Sequence, residues 1–399
     1  MANCHLIKDD IYWIGTNDTR THLFERVFPI PQGVSYNSYL IADTKTALLD
    51  TSDSTTADLF LDNVRTALQG RALDYLIVNH MECDHSASIE RLTQLYPQMQ
   101  IVSTAKSLAM MKQFFSFDVD SRAIAVKEGS ELDLGQHQLT FAMAPMVHWP
   151  EVMFTYDKSS KILFCADAFG TFGALHGHLY ADEYDIDGAW LDEYRRYYAN
   201  IVGKFGKPVQ LVLAKAAKMD IAMLCPLHGP VWRQDLGYIL NKYDVWSRYE
   251  PETPGVLVAY ASMYGHTEAA AQEFALELAA QGVKNVQVAD ISLSDVSELV
   301  AHSFRFSHIA LFSPTYNMGL HPRVSAYLHD LEALSLSKRR WVLVENGTWA
   351  PNANRCAKAI LENMSEMSIE GELTIKSRLS AEQRPQLQEL AASLTAQIN

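Results

Sequence analysis

From residue 254 onward, short apolar runs alternate with amphipathic runs across short polar loops. The strand-like runs are VLVAY, VQVADI, HIALFSP and WVLVEN, and the helical runs that follow them are TEAAAQEFALELAAQG, SDVSELVAH, RVSAYLHDLEAL and ANRCAKAILENM. Strands and helices that alternate in this way form a parallel sheet with helices on both faces. The pattern predicts a doubly wound α/β domain, which binds ligands in loops at the carboxyl ends of its strands.

The first 250 residues have a different pattern, with several strand-like runs and few helices. VSYNSYLIADTKTALLDTSD predicts two strands around a polar turn, whereas LDYLIVNH and KILFCADAF predict strands that end in loops. Helical periodicity occurs in TTADLFLDNVRTALQG and in GAWLDEYRRYYANIVGKF. We expect two sheets with helices outside them. YEPETPG, at residues 249–255, predicts a linker. We therefore expect two domains, at residues 1–250 and 254–399.

Charge and cysteine content narrow the classes of function. The 33 basic and 47 acidic residues give a net charge of -14, which argues against nucleic acid or an anionic membrane as the main partner. The sequence shows neither a secretory pattern nor an apolar run of membrane-spanning length, so we expect a cytoplasmic protein. The five cysteines never form a CxxC pair, which argues against a thiolate metal site.

Four loop-like segments contain seven potential metal ligands. NHMECDH contains His80, Glu82, Asp84 and His85, and PMVHWP, FCADAFG and CPLHGP contain His148, Asp167 and His228. An isolated histidine or aspartate is more often structural and satisfied by hydrogen bonds to the backbone. Seven such residues in loops at strand ends favour a metal site. His176 and His178 in ALHGHLY have no carboxylate neighbour, and we expect them to line a pocket or lie on the surface.

The charges of these ligands suit a pair of divalent ions. Glu82, Asp84 and Asp167 supply three negative charges, and a bridging hydroxide would complete the neutralisation of two such ions in a dry pocket. Mixed imidazole and carboxylate ligands suit iron or manganese, but zinc accepts the same atoms. Ligand chemistry alone therefore leaves the metal open.

Three loops at successive strand ends of the C-terminal domain predict a flavin site. SMYGHTE precedes a helix whose N-terminus favours a phosphate, although its hydroxyl residues would otherwise simply cap the helix. Tyr316 and Trp349 are suited to flank an isoalloxazine ring. The predicted contacts to FMN are Ser262, Met263, Tyr264, Gly265, His266, Thr267, Pro314, Thr315, Tyr316, Asn317, Gly319, Asn346, Gly347, Thr348, Trp349 and Ala350.

These motifs together resemble those of a known family. NHMECDH resembles the HxHxDH motif of metallo-β-lactamase-fold proteins, with Glu82 in place of the second histidine, and that replacement is characteristic of flavodiiron proteins. The intervals to His148, Asp167 and His228, the segment GVSYNSYLI and the flavodoxin-like C-terminal part are also similar. The resemblance implies an αββα metallo-β-lactamase-like sandwich followed by a flavodoxin-like domain.

The resemblance also implies a site and a reaction. His80, Glu82 and His148 would bind one iron, Asp84, His85 and His228 the other, and Asp167 would bridge them. Members of the family reduce O2 to water, NO to N2O, or both, with electrons that FMN passes to the iron pair. The chain lacks the CxxC pairs of a fused rubredoxin, so a separate donor is expected, either a rubredoxin-type carrier or a reduced deazaflavin.

The same resemblance implies an oligomer. We expect the iron and FMN sites to lie too far apart within one chain for fast transfer. A head-to-tail homodimer, or a dimer of such dimers, would bring the FMN of one subunit to the irons of the other.

Two other interpretations differ in class. One is a dinuclear zinc metallohydrolase fused to a flavodoxin-like docking module, which Glu82 and the second cofactor site disfavour. The other is an electron-transfer protein with a vestigial metal domain, which fits poorly because no ligand is missing. The motifs do not decide between O2 and NO, and His22, Tyr198 and His176 are candidates for residues that set this preference.

Overall fold

The computed structural model describes residues 3–398, which form two compact units. One unit comprises the residues up to Tyr197 together with Lys207–Tyr243, and the other comprises Tyr198–Gly206 together with the residues from Asp244 onward. Over the described range, no helix is both long and apolar enough to cross a membrane.

The first unit consists of short strands and short helices. Its strands are β1 (His5–Lys8), β2 (Ile11–Trp13), β3 (Thr16–Asp18), β4 (Leu23–Phe24), β5 (Phe28–Pro29), β6 (Val34–Tyr36), β7 (Tyr39–Ala42), β8 (Thr46–Leu49), β9 (Tyr75–Ile77), β10 (Gln100–Thr104), β11 (Ala123–Val126), β12 (Glu131–Asp133), β13 (Gln138–Met143), β14 (Met153–Asp157), β15 (Ile162–Phe164) and β16 (Met223–Cys225). The helices in this part of the chain are α1 (Ala57–Leu68), α2 (Cys83–Ser86), α3 (Ile89–Leu95), α4 (Ala105–Phe114), α5 (Leu191–Tyr197), α6 (Gly206–Ala216) and α7 (Leu236–Ser247).

Two mixed sheets form the centre of the first unit. One has the order β1-β2-β7-β8-β9-β10-β11 and the other β12-β13-β14-β15-β16. The sheets face each other, because the ring of Tyr39 on β7 lies 5.2 Å from that of Phe164 on β15 and the Tyr39 hydroxyl donates to the carbonyl of Pro226 at 2.8 Å. The interface positions the loops that follow the strands of both sheets at a common end.

Helices cover the outer faces of the two sheets. Phe60, Val64 and Leu68 repeat at intervals of four along α1, and this apolar stripe joins the same buried cluster as Leu48 and Leu76 of the first sheet. On the second sheet, Val212 and Ala216 of α6 share a small cavity with Phe154 and Leu163. The αββα arrangement predicted from the sequence is confirmed.

The second unit is a doubly wound parallel sheet. Its strands are β17 (Thr253–Tyr260), β18 (Val286–Asp290), β19 (Phe306–Tyr316), β20 (Gly319–Leu320), β21 (Arg339–Asn346) and β22 (Met367–Ile375), and its helices are α8 (His266–Ala280), α9 (Val296–Arg305), α10 (Pro322–Ala333), α11 (Ala353–Leu361) and α12 (Arg384–Ile398). The parallel strands have the order β18-β17-β19-β21-β22, with β20 added to β19 as a short hairpin. This is the flavodoxin-like order, which has its ligand crevice where the strand order reverses, between β17 and β19.

Some elements differ from the sequence prediction. β17 begins at Thr253, so the last residues of the predicted linker belong to a strand. The predicted helix GAWLDEYRRYYANIVGKF is interrupted, since π-helical turns at Ile186–Trp190 and Tyr198–Val202 flank α5. The sequence analysis also missed β22, whose segment MSIEGELTI lies at the sheet edge and buries few side chains completely.

Candidate metal centre and flavin cleft

The seven predicted metal ligands converge in the first unit, on segments that follow or join its central strands; five lie on loops as predicted, whereas Asp84 and His85 lie on the short helix α2. NHMECDH follows β9, His148 lies between β13 and β14, Asp167 follows β15, and His228 follows β16. The side chains form two adjacent groups, and the ligand atoms within each group lie within 4.8 Å of one another. The groups are His80, Glu82, His148 and Asp167, and then Asp84, His85 and His228.

The carboxylate of Asp167 lies between the other three residues of the first group and the second group, and it presents one oxygen to each. Its Oδ2 is 3.2 Å from His148 Nε2 and 3.4 Å from His80 Nε2. Its Oδ1 is 3.1 Å from His85 Nε2 and 3.7 Å from His228 Nε2. This is the arrangement that a bridging carboxylate requires.

The protonation of two histidine rings is fixed by partners outside the cluster. His80 Nδ1 donates to Glu151 Oε1 at 2.8 Å, and His228 Nδ1 donates to the backbone carbonyl of Ser35 at 2.7 Å. Since a carboxylate and a carbonyl can only accept, a proton resides on Nδ1 of each ring, and Nε2 is the nitrogen that can bind a metal.

The cluster favours positive charge. Burial opposes protonation of the rings, but the charges and hydrogen bonds of the nearby carboxylates outweigh it and raise the pKa of His85 to about 10 and that of His148 to about 9. The pKa of Asp167 stays well below its usual range despite burial, because His85 and His80 stabilise its charge. Bound cations would supply the charge that protons otherwise provide.

The donor set fits a metal pair. Within residues 3–398, both carboxylate oxygens of Asp84 and Oδ1 of Asp167 are buried and lack a well-aligned hydrogen bond; their close neighbours are ligand imidazole nitrogens, with His85 Nε2 at 3.2 Å from Asp84 Oδ2 and 3.1 Å from Asp167 Oδ1. Buried oxygens of this kind are costly unless a cation coordinates them. Four imidazoles and three carboxylates, with sulfur absent from the two groups, suit iron or manganese and are accepted by zinc.

The backbone around the ligands is strained. Met146, close to His148, has φ 65°, and Ala166 and Phe169, on either side of Asp167, have φ 48° and 66°. Residues other than glycine adopt this left-handed region at a cost, which the surrounding fold must offset.

Asp50 supports the motif loop, although the sequence analysis did not single it out. Its Oδ1 accepts the backbone N–H groups of Asn79 at 2.7 Å and His80 at 3.2 Å. Burial raises the pKa of Asp50 to about 6, against the hydrogen bonds that stabilise its charge. It follows the apolar strand β8, which is the same sequence signal that identified Asp167.

Glu25 and Tyr197 also face the cluster, and no local motif identifies them. Glu25 is exposed as a residue, but partial burial of its carboxyl group and contact with Glu82 raise its pKa to about 8. Tyr197 is fully buried, and burial and the charge of Asp167 raise its pKa well above the usual range.

The three residues suggested from the sequence to set the preference between O2 and NO do not belong to the ligand groups. His22 and His176 are exposed, and neither belongs to the ligand groups. Tyr198 belongs to the second unit, where its ring lies 5.3 Å from that of Trp246. The tyrosine that faces the cluster is its neighbour, Tyr197, because successive helix residues point in different directions. His178 lines a surface pocket, as expected.

The second unit contains a cleft of about 220 Å³ at the carboxyl ends of its strands. The helix α8 begins beside it, and the residue before this helix, Gly265, has φ 86° and donates its N–H to Ser262 Oγ at 3.0 Å. Asn346 links two loops, since its Nδ2 donates to Thr267 Oγ1 at 3.2 Å and to the carbonyl of Ser377 at 3.0 Å. The predicted residues that line the cleft are Ser262, Met263, Tyr264, His266, Thr267, Pro314, Thr315, Asn317, Asn346, Gly347, Thr348, Trp349 and Ala350.

Three predicted flavin contacts do not line this cleft, and two other residues do. Gly265 directly precedes α8, Gly319 lies on β20, and the ring of Tyr316 packs against His321 at 6.1 Å. Asn317 and Met318 both have positive φ and form a two-residue hairpin turn that places Met318 at the cleft. Ser377, which follows β22, was missed because that strand was not predicted.

Comparison with known proteins agrees with this architecture. A family model described as ODP family beta lactamase matches residues 34–229. The nitric oxide reductase of Moorella thermoacetica is 34% identical over 331 residues, which cover 82% of each chain. The flavodiiron protein of Giardia intestinalis is 25% identical, with a TM-score of 0.90 over 100% of this chain and 97% of that one.

A third similarity concerns the fold alone. The rubredoxin oxygen:oxidoreductase of Desulfovibrio gigas superimposes with a TM-score of 0.93 over 99% of this chain and 98% of that chain, at 23% identity. The fold and the two sites define a metallo-β-lactamase-like domain joined to a flavodoxin-like one. This chain belongs to the flavodiiron protein family.

Proposed function

We propose that this protein reduces O2 to water, NO to N2O, or both, at a non-haem diiron pair that receives electrons from FMN. The observation that carries the proposal is Asp167, whose two oxygens face two ligand groups of equal composition. Relatives of this chain are named for the reduction of nitric oxide, and a protein of the same fold for oxygen.

Each iron would have two imidazoles and one carboxylate of its own, and both would share Asp167. His80, Glu82 and His148 would hold one, and Asp84, His85 and His228 the other. A bound iron pair would supply electrons to a small substrate molecule, and these residues would hold it. The buried ligand groups exclude water from the ions and keep the carboxylate charges close to them.

The cleft at β17, β19 and β21 is the proposed FMN site. The phosphate would lie at the N-terminus of α8, where backbone N–H groups and the helix dipole favour an anion. Trp349 is 82% exposed and Tyr264 is 88% exposed, so their rings remain free to cover the flavin. We assign the iron-binding domain to residues 1–250 and the FMN domain to residues 254–399.

The assembly and the donor belong to the same proposal. A head-to-tail homodimer or a homotetramer would bring FMN of one subunit to the irons of another, and a rubredoxin-type carrier would deliver electrons, with reduced deazaflavin as the alternative donor. If analytical ultracentrifugation showed a monomer and that monomer were fully active, the requirement for a dimer would be contradicted.

Metal analysis and a visible spectrum test the cofactors. We expect about two irons per chain and a flavin absorption band near about 450 nm. Zinc without flavin would instead support a metallohydrolase, an alternative that the flavin cleft and Glu82 disfavour. Consumption of O2 and of NO by the reduced, iron-loaded protein, measured separately, then decides which gas it reduces.

A further inference from the structure

The ligand histidines differ in the partners of their Nδ1 atoms. His80 Nδ1 donates to the carboxylate of Glu151, and both side chains are completely buried. His228 Nδ1 donates to the neutral carbonyl of Ser35. His85 Nδ1 is buried without a partner among the residues that the structure describes. Of these three rings, only that of His80 has a carboxylate as the partner of its Nδ1.

Glu151 has few other partners. Its Oε1 also accepts the backbone N–H of Met81 at 3.0 Å, whereas Oε2 is buried without a donor within residues 3–398. The residue is 2% exposed, so solvent does little to screen its charge. A carboxylate behind a ligand imidazole makes that ring a stronger electron donor to its metal.

The direct ligands do not distinguish the two metal positions. Each position has two histidines and one carboxylate of its own, and Asp167 presents one oxygen to each. A difference in charge between the two metal positions must therefore come from residues that contact the ligands and not the metals. The contact between His80 and Glu151 provides such a difference.

We propose that Glu151 makes the two iron positions unequal by lowering the reduction potential of the iron bound by His80, Glu82 and His148. This inference rests on the proposed diiron function. The negative charge, one imidazole ring away from that iron, stabilises the ferric ion more than the ferrous ion. When the reduced pair passes an electron to O2 or NO, the iron at this position would therefore be oxidised first, from ferrous to ferric, as the gas is reduced. Glu151 acts through His80 and is a positioning residue.

Glu151→Gln is the variant that tests the role of this charge. Glutamine has nearly the same shape, and its carbonyl oxygen still accepts from His80 Nδ1 and Met81 N, but the charge is gone. In an anaerobic redox titration of the holoenzyme, we follow the mixed-valent iron pair by EPR and FMN by absorbance in the same sample. The first oxidation of the iron pair should shift to a more positive potential, and the mixed-valent signal should reach a lower maximum. The FMN potentials should not move.

Asp157→Asn is the matched control. Asp157 is also a buried carboxylate that accepts from a histidine Nδ1, at 2.7 Å from His137, but His137 is outside the ligand groups. We expect the iron and FMN reduction potentials of Asp157→Asn to equal those of the wild type. A shift of the same size in both variants would show that loss of any buried charge has this effect, and would overturn the proposal.

The remaining outcomes are also decisive. Glu151→Gln with two irons per chain and wild-type potentials would overturn the inference, even with normal gas consumption. If Glu151→Gln binds fewer than two irons per chain, the variant Glu151→Asp decides. Two irons per chain and near-wild-type potentials in Glu151→Asp would support the role of the charge. Iron loss in Glu151→Asp as well would overturn the proposal. A wild-type protein without iron would instead refute the proposed function.

Discussion

The ring of Tyr197 lies 5.6 Å from that of His228, centroid to centroid, and its hydroxyl is buried without a hydrogen-bond partner among the described residues. The charges of Asp167, Asp84 and Glu82 act on this hydroxyl. A buried hydroxyl that lacks a partner destabilises the fold. We predict that Tyr197 donates its hydroxyl proton to the bound gas molecule of the proposed reaction.

Tyr197→Phe should therefore separate stability from activity. We expect the unfolding free energy of the metal-free protein to stay the same or rise by about 1 kcal/mol, because an unpaired buried polar group is removed. Turnover should fall on the order of 10²-fold, the loss typical of a positioned donor. Gas consumption and urea denaturation measure the two effects. Unchanged turnover with both gases would contradict the assigned role.

Asp167→Asn should affect the iron pair and leave the flavin in place. The variant removes the charge between the two ligand groups, so iron binding should fall below two per chain and turnover should be lost. FMN should stay bound, because its proposed cleft lies in the other unit. Iron analysis and the flavin spectrum report the two outcomes in one sample, and retained activity would contradict the bridging role.

Trp349→Ala should weaken FMN binding with little effect on folding. The side chain is 82% exposed, so its removal should change the unfolding free energy by less than about 0.5 kcal/mol. Loss of an aromatic stack should weaken FMN binding by about 10-fold, measured by flavin fluorescence on the deflavinated protein. Leu276→Ala, which removes a 72% exposed side chain on α8, is the control and should leave the affinity unchanged. Equal losses in both variants would argue against stacking.

His137 and Asp157 should make stability depend on pH. Their hydrogen bond raises the pKa of His137, and the pKa of Asp157 is lowered by this bond and that of Ser160 despite burial. The stabilisation by His137 is complete below about pH 6.5 and is lost as pH rises through its raised pKa, whereas that of Asp157 is lost as pH falls below about 4. His137→Gln should therefore cost about 2 kcal/mol at pH 5.5 and less at pH 8.5, measured by denaturant unfolding. An equal cost at both pH values would contradict this linkage.

The convergence of the seven candidate ligands and the two-layer architecture were predictable because local signals identify them. Polar residues that directly follow apolar strands, such as Asp167 and His228, lie at strand ends in the structure. Tyr197 and Glu25 were not predictable, because their approach to the cluster depends on how a helix and a hairpin pack. Glu151 was closer to detection, since it lies three residues after His148, but nothing local shows that its carboxylate reaches His80.

The loops that converge on Asp167 come from distant parts of the chain, since His85 and His228 are 143 positions apart in the sequence. The cluster therefore exists only once the first unit has folded, and metal that binds there stabilises the folded chain over the unfolded one. Without cations, three neighbouring carboxylates repel one another and are balanced only by protons. Loss of the proposed iron pair would thus raise the population of the unfolded chain, which is the form that proteases cleave.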